Sequence, residues 1–274
     1  MKSRQLLRAL LPWLMLAVLG CILLVFYMLS SALNDQDRSQ VELDVRQIFT
    51  LDTRIDLDVM RLRHRQLQGY DSLSDSVGQV TGLLNELQDK FTKLGLPDAL
   101  KPTIRAWEIQ ETSLEDFKRQ NTVLVNSLYH FINLSRQLNS GRAEDIELLN
   151  SVTRDVLVFA NEQQTEHISG LLANMERLET ASRGWREPMS VRGALLAAHG
   201  RQIVNNHIPV QRLMLNVARN PFTQDLEQAY GEYVRTYNRM AAQAENYRRL
   251  MAIFSLIMVV SVVLIVLRLQ YTTR

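Results

Sequence analysis

Two long apolar runs, one near each end, constrain this chain more than any other feature. They cover residues 9–29 and 250–267, and neither contains an acidic or basic side chain. A helix needs about 20 apolar residues to cross the ~30 Å hydrocarbon core of a membrane, so both runs are predicted spans, the second near the lower limit of length. The predicted organisation is a tail at 1–8, a span at 9–29, a domain at 33–249, a span at 250–267 and a tail at 268–274.

Charge around the first span predicts its orientation. Lys2, Arg4 and Arg8 precede the span, whereas acids follow it. This arrangement favours a cytoplasmic N-terminus, so both termini are expected in the cytoplasm and the central domain outside it. A cleaved signal peptide is the alternative, but its apolar core would be about 7–15 residues long. Lipoprotein processing at Cys21 would require polar residues after the cysteine, and the residues there are apolar.

The central domain is predicted to be all-α. Only 11 Gly and 6 Pro occur in 274 residues, which favours long helices over turns. Apolar residues recur at three- and four-residue steps, and no segment alternates for long enough to predict a strand. The expected architecture is an elongated stack of helical bundles with about six helices. Their predicted ranges are 39–69, 76–94, 103–139, 143–181 with a polar interruption at 161–167, 190–219 with a bend at Pro209, and 223–249.

Composition excludes several classes of function. The interval 33–248 holds all 29 acidic residues and all but six of the 31 Lys and Arg, so it is mildly acidic and nucleic-acid binding is not expected. No spacing of His or Cys predicts a metal site, no nucleophile–base pair predicts an enzyme, and no cofactor is expected. His199 is the one histidine retained as a candidate ligand contact, with a hydrogen-bonded core histidine as the alternative.

The stretch 60–73, MRLRHRQLQGYDSL, is the strongest candidate for a binding site. Arg61, Arg63 and Arg65 could each bind an anion through paired hydrogen bonds. Helical geometry prevents all three from facing one pocket, and local ion pairs on a solvated face are the alternative for each. Tyr70 and Asp71 follow as candidate ligand contacts, or as a packed ring and a helix cap that fix the turn.

This stretch resembles the signature of the DAHL domain, an all-α sensor domain with two bundles. The family pattern is an Arg, six residues, then Tyr-Asp-Pro-Leu, and here Arg63, Tyr70, Asp71 and Leu73 match it. Ser72 stands at the proline position, which predicts a looser turn. The run 198–203 around His199 is similar to a second, weaker family motif. The resemblance spans roughly residues 35–250.

The resemblance implies an extracytoplasmic sensor in the inner membrane of a bacterium, with two membrane helices and a periplasmic domain. Such a sensor would bind a small ligand, which the arginines suggest is anionic, or a periplasmic protein. It would signal to a cytoplasmic partner, as in two-component systems, and a homodimer is expected. The sequence ends seven residues after the second span, so the output module is expected elsewhere. The alternative function is a structural or scaffolding membrane subunit whose helical domain binds another protein.

Overall fold

The structure is a computed structural model that describes residues 2–30, 35–67, 69–138, 143–162 and 168–273. Side chains are described except those of residues 2–12, 29, 30, 35, 162, 269, 272 and 273. Within this part of the chain every regular element is a helix, which confirms the predicted all-α class. The helices are α1 (Lys2–Ser30), α2 (Asp35–Arg63), α3 (Asp71–Lys93), α4 (Lys101–Gln137), α5 (Ala143–Glu162), α6 (Ile168–Ser182), α7 (Met189–Ala218) and α8 (Phe222–Thr273).

Most of the predicted helix ends lie within a few residues of the observed ones. The C-terminal end of α2 is an exception. This helix ends at Arg63 rather than at the predicted residue 69. The amide of Arg65 donates to the Leu62 carbonyl and that of Gln66 to the Arg61 carbonyl, while Arg65 has a φ of 59°. This is the two-bond Schellman closure, whose left-handed position normally holds glycine. The prediction failed because an arginine occupies that position.

The predicted helix at 143–181 is described as α5 and α6. Most of the predicted polar interruption, residues 163–167, lies outside the described part. Pro209 lies inside α7, as expected. The helix predicted at 223–249 and the second apolar run form one continuous element, α8, of 52 residues.

The chain divides into two compact units. One unit comprises residues 47–84 and 101–225 and is called the Arg63 unit. In it α4 packs along α7, α6 packs on α7, and α5 lies against α6 and α7. Close approach depends on Gly193, because a Cβ there would lie 2.5 Å from Ser182 Cβ and 2.7 Å from the Trp185 ring.

The other unit comprises residues 1–46, 85–100 and 226–274. Its core contains Phe91, whose ring centroid lies 4.9 Å from that of Tyr233. A buried ion pair joins Lys90 to Asp44, with 2.5 Å between nitrogen and oxygen. Tyr233 and Tyr237 of α8 are buried and belong to the core of this unit.

Within the described residues, one helical stretch is long and apolar enough to cross a membrane. It lies in Met189–Arg268, and none of its most apolar 18-residue segment is buried within the protein. The predicted second span, 250–267, belongs to this stretch and lies within α8. Trp13–Met28 is a shorter apolar helix. The predicted first span, 9–29, extends beyond the described side chains at both ends.

Candidate functional site

The three arginines at the end of α2 point in different directions. Arg61 is exposed and lies 3.7 Å from the buried carboxylate of Asp58. Arg65 is exposed on the turn. Arg63 alone is half-buried, and its guanidinium faces α7. As helical geometry required, only one of the three points into the bundle.

Arg63 meets a histidine that is distant in sequence. Its Nη2 lies 2.9 Å from Nδ1 of His207, which has no exposed surface. Burial, and to a smaller extent the Arg63 charge, lowers the pKa of His207 to about 4. The histidine is therefore neutral near pH 7, and Nδ1 must accept, because a guanidinium only donates hydrogen bonds. The Phe159 ring, 4.7 Å away, forms an apolar wall beside the imidazole.

Nothing in the described part of the chain neutralises Arg63. No carboxylate there forms an ion pair with it, and its one hydrogen-bonding partner, His207, is uncharged. Burial lowers the pKa of Arg63, and the charge of Arg65 lowers it further. An arginine nevertheless remains protonated near neutral pH. Arg63 and His207 together thus form a charged centre with a partly buried positive charge, which a ligand anion could compensate.

Tyr70 and Asp71 have separate environments. The Tyr70 hydroxyl lies 3.1 Å from Asn121 Nδ2 and 3.1 Å from Thr122 Oγ1, so the ring is tied to α4. Asp71 is the first residue of α3, and its side chain is exposed. Whether either contacts a ligand stays a prediction. The geometry gives Tyr70 a clear role in fixing the turn between α2 and α3.

Ser72 does not loosen this turn, contrary to the prediction. Its hydroxyl donates to the buried Asp58 carboxylate at 2.7 Å and accepts from the Arg54 guanidinium at 3.0 Å. Its carbonyl accepts from the Ser76 hydroxyl at 2.9 Å. A proline has no side-chain hydroxyl to make the first two bonds. Ser72 therefore joins the start of α3 to α2 by hydrogen bonding.

His199 lies elsewhere on α7, stacked on His130 of α4. The ring centroids are 5.2 Å apart, with 21° between the planes. Burial lowers the pKa of His199, and His130 lowers it further. The structure does not pair His199 with any of the motif arginines, and its predicted role as a ligand contact stays a prediction. In the described part of the chain no group of three His, Cys, Asp or Glu could hold a metal ion.

Sequence reasoning missed three polar residues of this unit, His207, Asn121 and Asp56. The pKa of Asp56 is raised to about 6 by burial and by the nearby Asp52 carboxylate. Asn121 is buried, and its Oδ1 has no hydrogen-bonding partner among the described atoms. A usable signal was present for two of them, because His207 and Asn121 occupy core positions in the apolar periodicity of α7 and α4.

A family model identifies the domain. The DAHL domain matches residues 33–248 of the 274-residue chain. No curated protein and no solved structure matches the chain. The matched range includes Arg63, Tyr70, Asp71 and His207. Since the match covers well over half of the sequence, the chain belongs to the DAHL domain family.

Proposed function

We propose that this protein is a membrane-anchored sensor whose DAHL domain lies outside the cytoplasm of a bacterium. The domain binds a small ligand at Arg63 and His207. Binding shifts α2, and the shift passes through the membrane helices to a cytoplasmic signalling partner. Both termini are cytoplasmic, and the working unit is a homodimer. The family match supports the sensor role.

The observation that carries this proposal is a structural connection from Arg63, along α2, to a hydrogen bond with the start of α8. Arg63 ends α2, and the Asp52 carboxylate, three turns earlier on α2, accepts from the hydroxyl of Thr223 at 2.8 Å. Phe222, at the start of α8, packs on Trp107 with 5.0 Å between ring centroids. A displacement of α2 would therefore act on the first turn of α8. From there α8 continues unbroken into its apolar run, which suits transmission by small sliding or rotation.

Ring contacts between α1 and α8 support a pair of membrane helices. Phe26 of α1 lies 6.1 Å from Tyr247 and 5.6 Å from Phe254 of α8, measured between ring centroids. Phe26 is near the end of the first predicted span, and Phe254 is near the start of the second. Two neighbouring spans that run in opposite directions would place these residues at the same depth in the membrane.

A disulfide cross-linking experiment tests the coupling without knowledge of the ligand. Phe26→Cys and Phe254→Cys are combined with Cys21→Ser in the full chain, and the rate of oxidative cross-linking is measured in membranes. The sensor proposal expects Arg63→Ala to change this rate at least about twofold, because loss of the charged centre shifts a two-state equilibrium. Arg105→Ala removes one exposed α4 charge and should leave the rate unchanged.

Two results would contradict the proposal. One is an equal cross-linking rate in the cysteine-pair protein, in its Arg63→Ala variant and in its Arg105→Ala variant. The other is a loss of helicity by circular dichroism in Arg63→Ala, because Arg63 would then be a structural residue. The scaffold function is the second candidate, supported by exposed apolar side chains on successive turns of α2 (Leu57, Met60) and α7 (Val191, Leu195). A stable copurifying protein together with an unchanged rate would favour it.

A further inference from the structure

A second polar feature of the Arg63 unit concerns the orientation of one amide. Thr122 has a single hydroxyl hydrogen, and the Lys118 carbonyl, 2.7 Å away, takes it. The hydroxyl of Tyr70 therefore donates to Thr122 Oγ1 and accepts from Asn121 Nδ2. This chain of donors sets the amide so that Asn121 Nδ2 faces the tyrosine. Its Oδ1 is then directed elsewhere and accepts no hydrogen bond among the described atoms.

Asn121 is an unusual residue for its position. It is 1% exposed and lies in the apolar stripe of α4, between Phe117 and Leu124. A buried acceptor without a donor destabilises the folded state, so a well-packed core would normally hold an apolar residue there. A ligand that supplies an O–H or N–H group would remove this cost.

The register of two helices places Asn121 and His207 in the same part of the bundle. The Asn220 side chain of the α7–α8 turn donates to the Ala106 carbonyl of α4 at 3.0 Å. At the other end, a Cβ at Gly200 of α7 would lie 3.3 Å from the ring of Phe131 on α4. The two helices are therefore antiparallel. Asn121 lies between the two α4 contact points, as His207 lies between those on α7.

The turn between α2 and α3 joins the two features. It begins after Arg63, which bonds to His207, and ends at Tyr70, which bonds to Asn121. Six residues lie between the two bonded positions in sequence. Among the described atoms, the two ends of this turn thus contact the two features: Arg63 is the cation without a carboxylate partner, and Tyr70 bonds to the amide whose Oδ1 lacks a donor.

We propose that the ligand of this site is a small carboxylate that also carries a hydroxyl or amino group. Its carboxylate pairs with the guanidinium of Arg63, and its O–H or N–H group donates to Oδ1 of Asn121. This assignment rests on the proposed sensor function, because it names the chemical class of that ligand.

Charge favours a carboxylate over phosphate or sulfate. In the described part of the site the Arg63 guanidinium is the partly buried cation, the imidazole is neutral and Arg65 is exposed on the turn, so one carboxylate group matches the partly buried charge. A guanidinium binds a planar carboxylate through two parallel hydrogen bonds. Phosphate near neutral pH carries more than one negative charge, and the surplus would stay uncompensated beside the buried His207.

A binding series on the full chain in lipid nanodiscs tests the class. The probes are 2-hydroxypropanoate, alanine, propanoate, 2-hydroxypropanamide and inorganic phosphate, each titrated to about 10 mM and followed by saturation-transfer NMR. 2-Hydroxypropanoate and alanine should bind. Propanoate lacks the neutral hydrogen bond and should bind at least about fivefold more weakly than these two probes. The neutral amide lacks the charged hydrogen bond and should bind at least about tenfold more weakly than they do.

Variants locate the site. Arg63→Gln should weaken 2-hydroxypropanoate binding at least about tenfold, whereas the exposed control Arg105→Gln should not change it. Asn121→Leu keeps the branched shape of the side chain but removes its oxygen acceptor, and it should abolish the preference for 2-hydroxypropanoate over propanoate. The probe series on the unaltered chain remains decisive if that variant does not fold.

Other outcomes overturn the assignment. Equal binding of the amide and the acid, a preference for phosphate, or no binding by any probe would each refute a hydroxy- or amino-carboxylate ligand. The cross-linking response to Arg63→Ala does not depend on the probes. A wrong ligand class with an intact cross-linking response would therefore leave the sensor function standing, whereas failure of both would refute the sensor.

Discussion

Asp56→Asn should stabilise the protein near neutral pH, because a carboxylate is held there in an unfavourable place. Asp56 is half-buried on α2, one turn after Asp52, and its pKa is raised from 3.8 to about 6. The folded state therefore favours the protonated form more than the unfolded state does. The resulting loss of folding stability is absent below the pKa that Asp56 has in the unfolded state, and it is complete above pH 6. A shift of about two units corresponds to about 3 kcal/mol at 1.36 kcal/mol per unit, and solvent screening reduces this to about 1–3 kcal/mol.

The assay is denaturant unfolding of the full chain in detergent, followed by the fluorescence of buried Trp107 in the same unit. Asp56→Asn should raise the free energy of unfolding by about 1–3 kcal/mol at pH 7.5 and by less than about 0.5 kcal/mol at pH 4. Asp75→Asn removes an exposed carboxylate and should stay within about 0.5 kcal/mol of the unaltered protein at both pH values. The reasoning fails if Asp56→Asn gives the same change at both pH values or destabilises the protein at pH 7.5.

Four further variants test other features by the same unfolding assay. Arg65→Gly should stabilise by up to about 1 kcal/mol, because glycine suits a φ of 59°, whereas Gly95→Ala at the equivalent turn after α3 (φ 81°) should destabilise by a similar amount. Gly193→Ala should cost about 1–3 kcal/mol, since the new methyl meets the Cβ of Ser182, and a cost near zero would refute the close packing. His207→Gln should reduce the loss of stability that acid causes between pH 6.5 and 4. In the unaltered protein the unfolded state takes up a proton at His207 while the folded state keeps it neutral, which lowers the free energy of unfolding by up to about 3 kcal/mol. If the variant and the unaltered protein have the same pH profile, His207 titrates normally.

Helix periodicity made the fold readable from sequence, and the errors occurred where one residue departs from the usual code. Apolar steps of three and four residues identified the core faces of α2, α3 and α4, because burial imposes that spacing. The end of α2 was misplaced because Arg65 occupies a left-handed position where glycine is the usual signal. The expectation of a loose turn at Ser72 failed for a related reason, because its hydroxyl replaces a rigid ring by hydrogen bonds to Asp58 and Arg54.

The site was less accessible from sequence than the fold. Arg63 could be singled out through the resemblance, but the residue that defines its chemistry, His207, is 144 positions away. No local pattern connects them, since their contact depends on how α7 packs against the end of α2. Asn121 was equally hidden, because a single polar residue in an apolar stripe does not reveal which of its atoms will lack a partner.

The proposed connection between the site and α8 also gives a reason for the hydrogen-bonded carboxylates of α2. The half-buried Asp52 receives hydrogen bonds from Gln110 and Thr223, and the buried Asp58 receives one from Ser72. An apolar helix face would hold α2 by packing that tolerates small slides, whereas directional bonds fix it to particular neighbours. Polar networks inside a protein favour discrete arrangements over continuous ones. In the proposed sensor, a weak ligand could then switch α8 between two states rather than merely bend it.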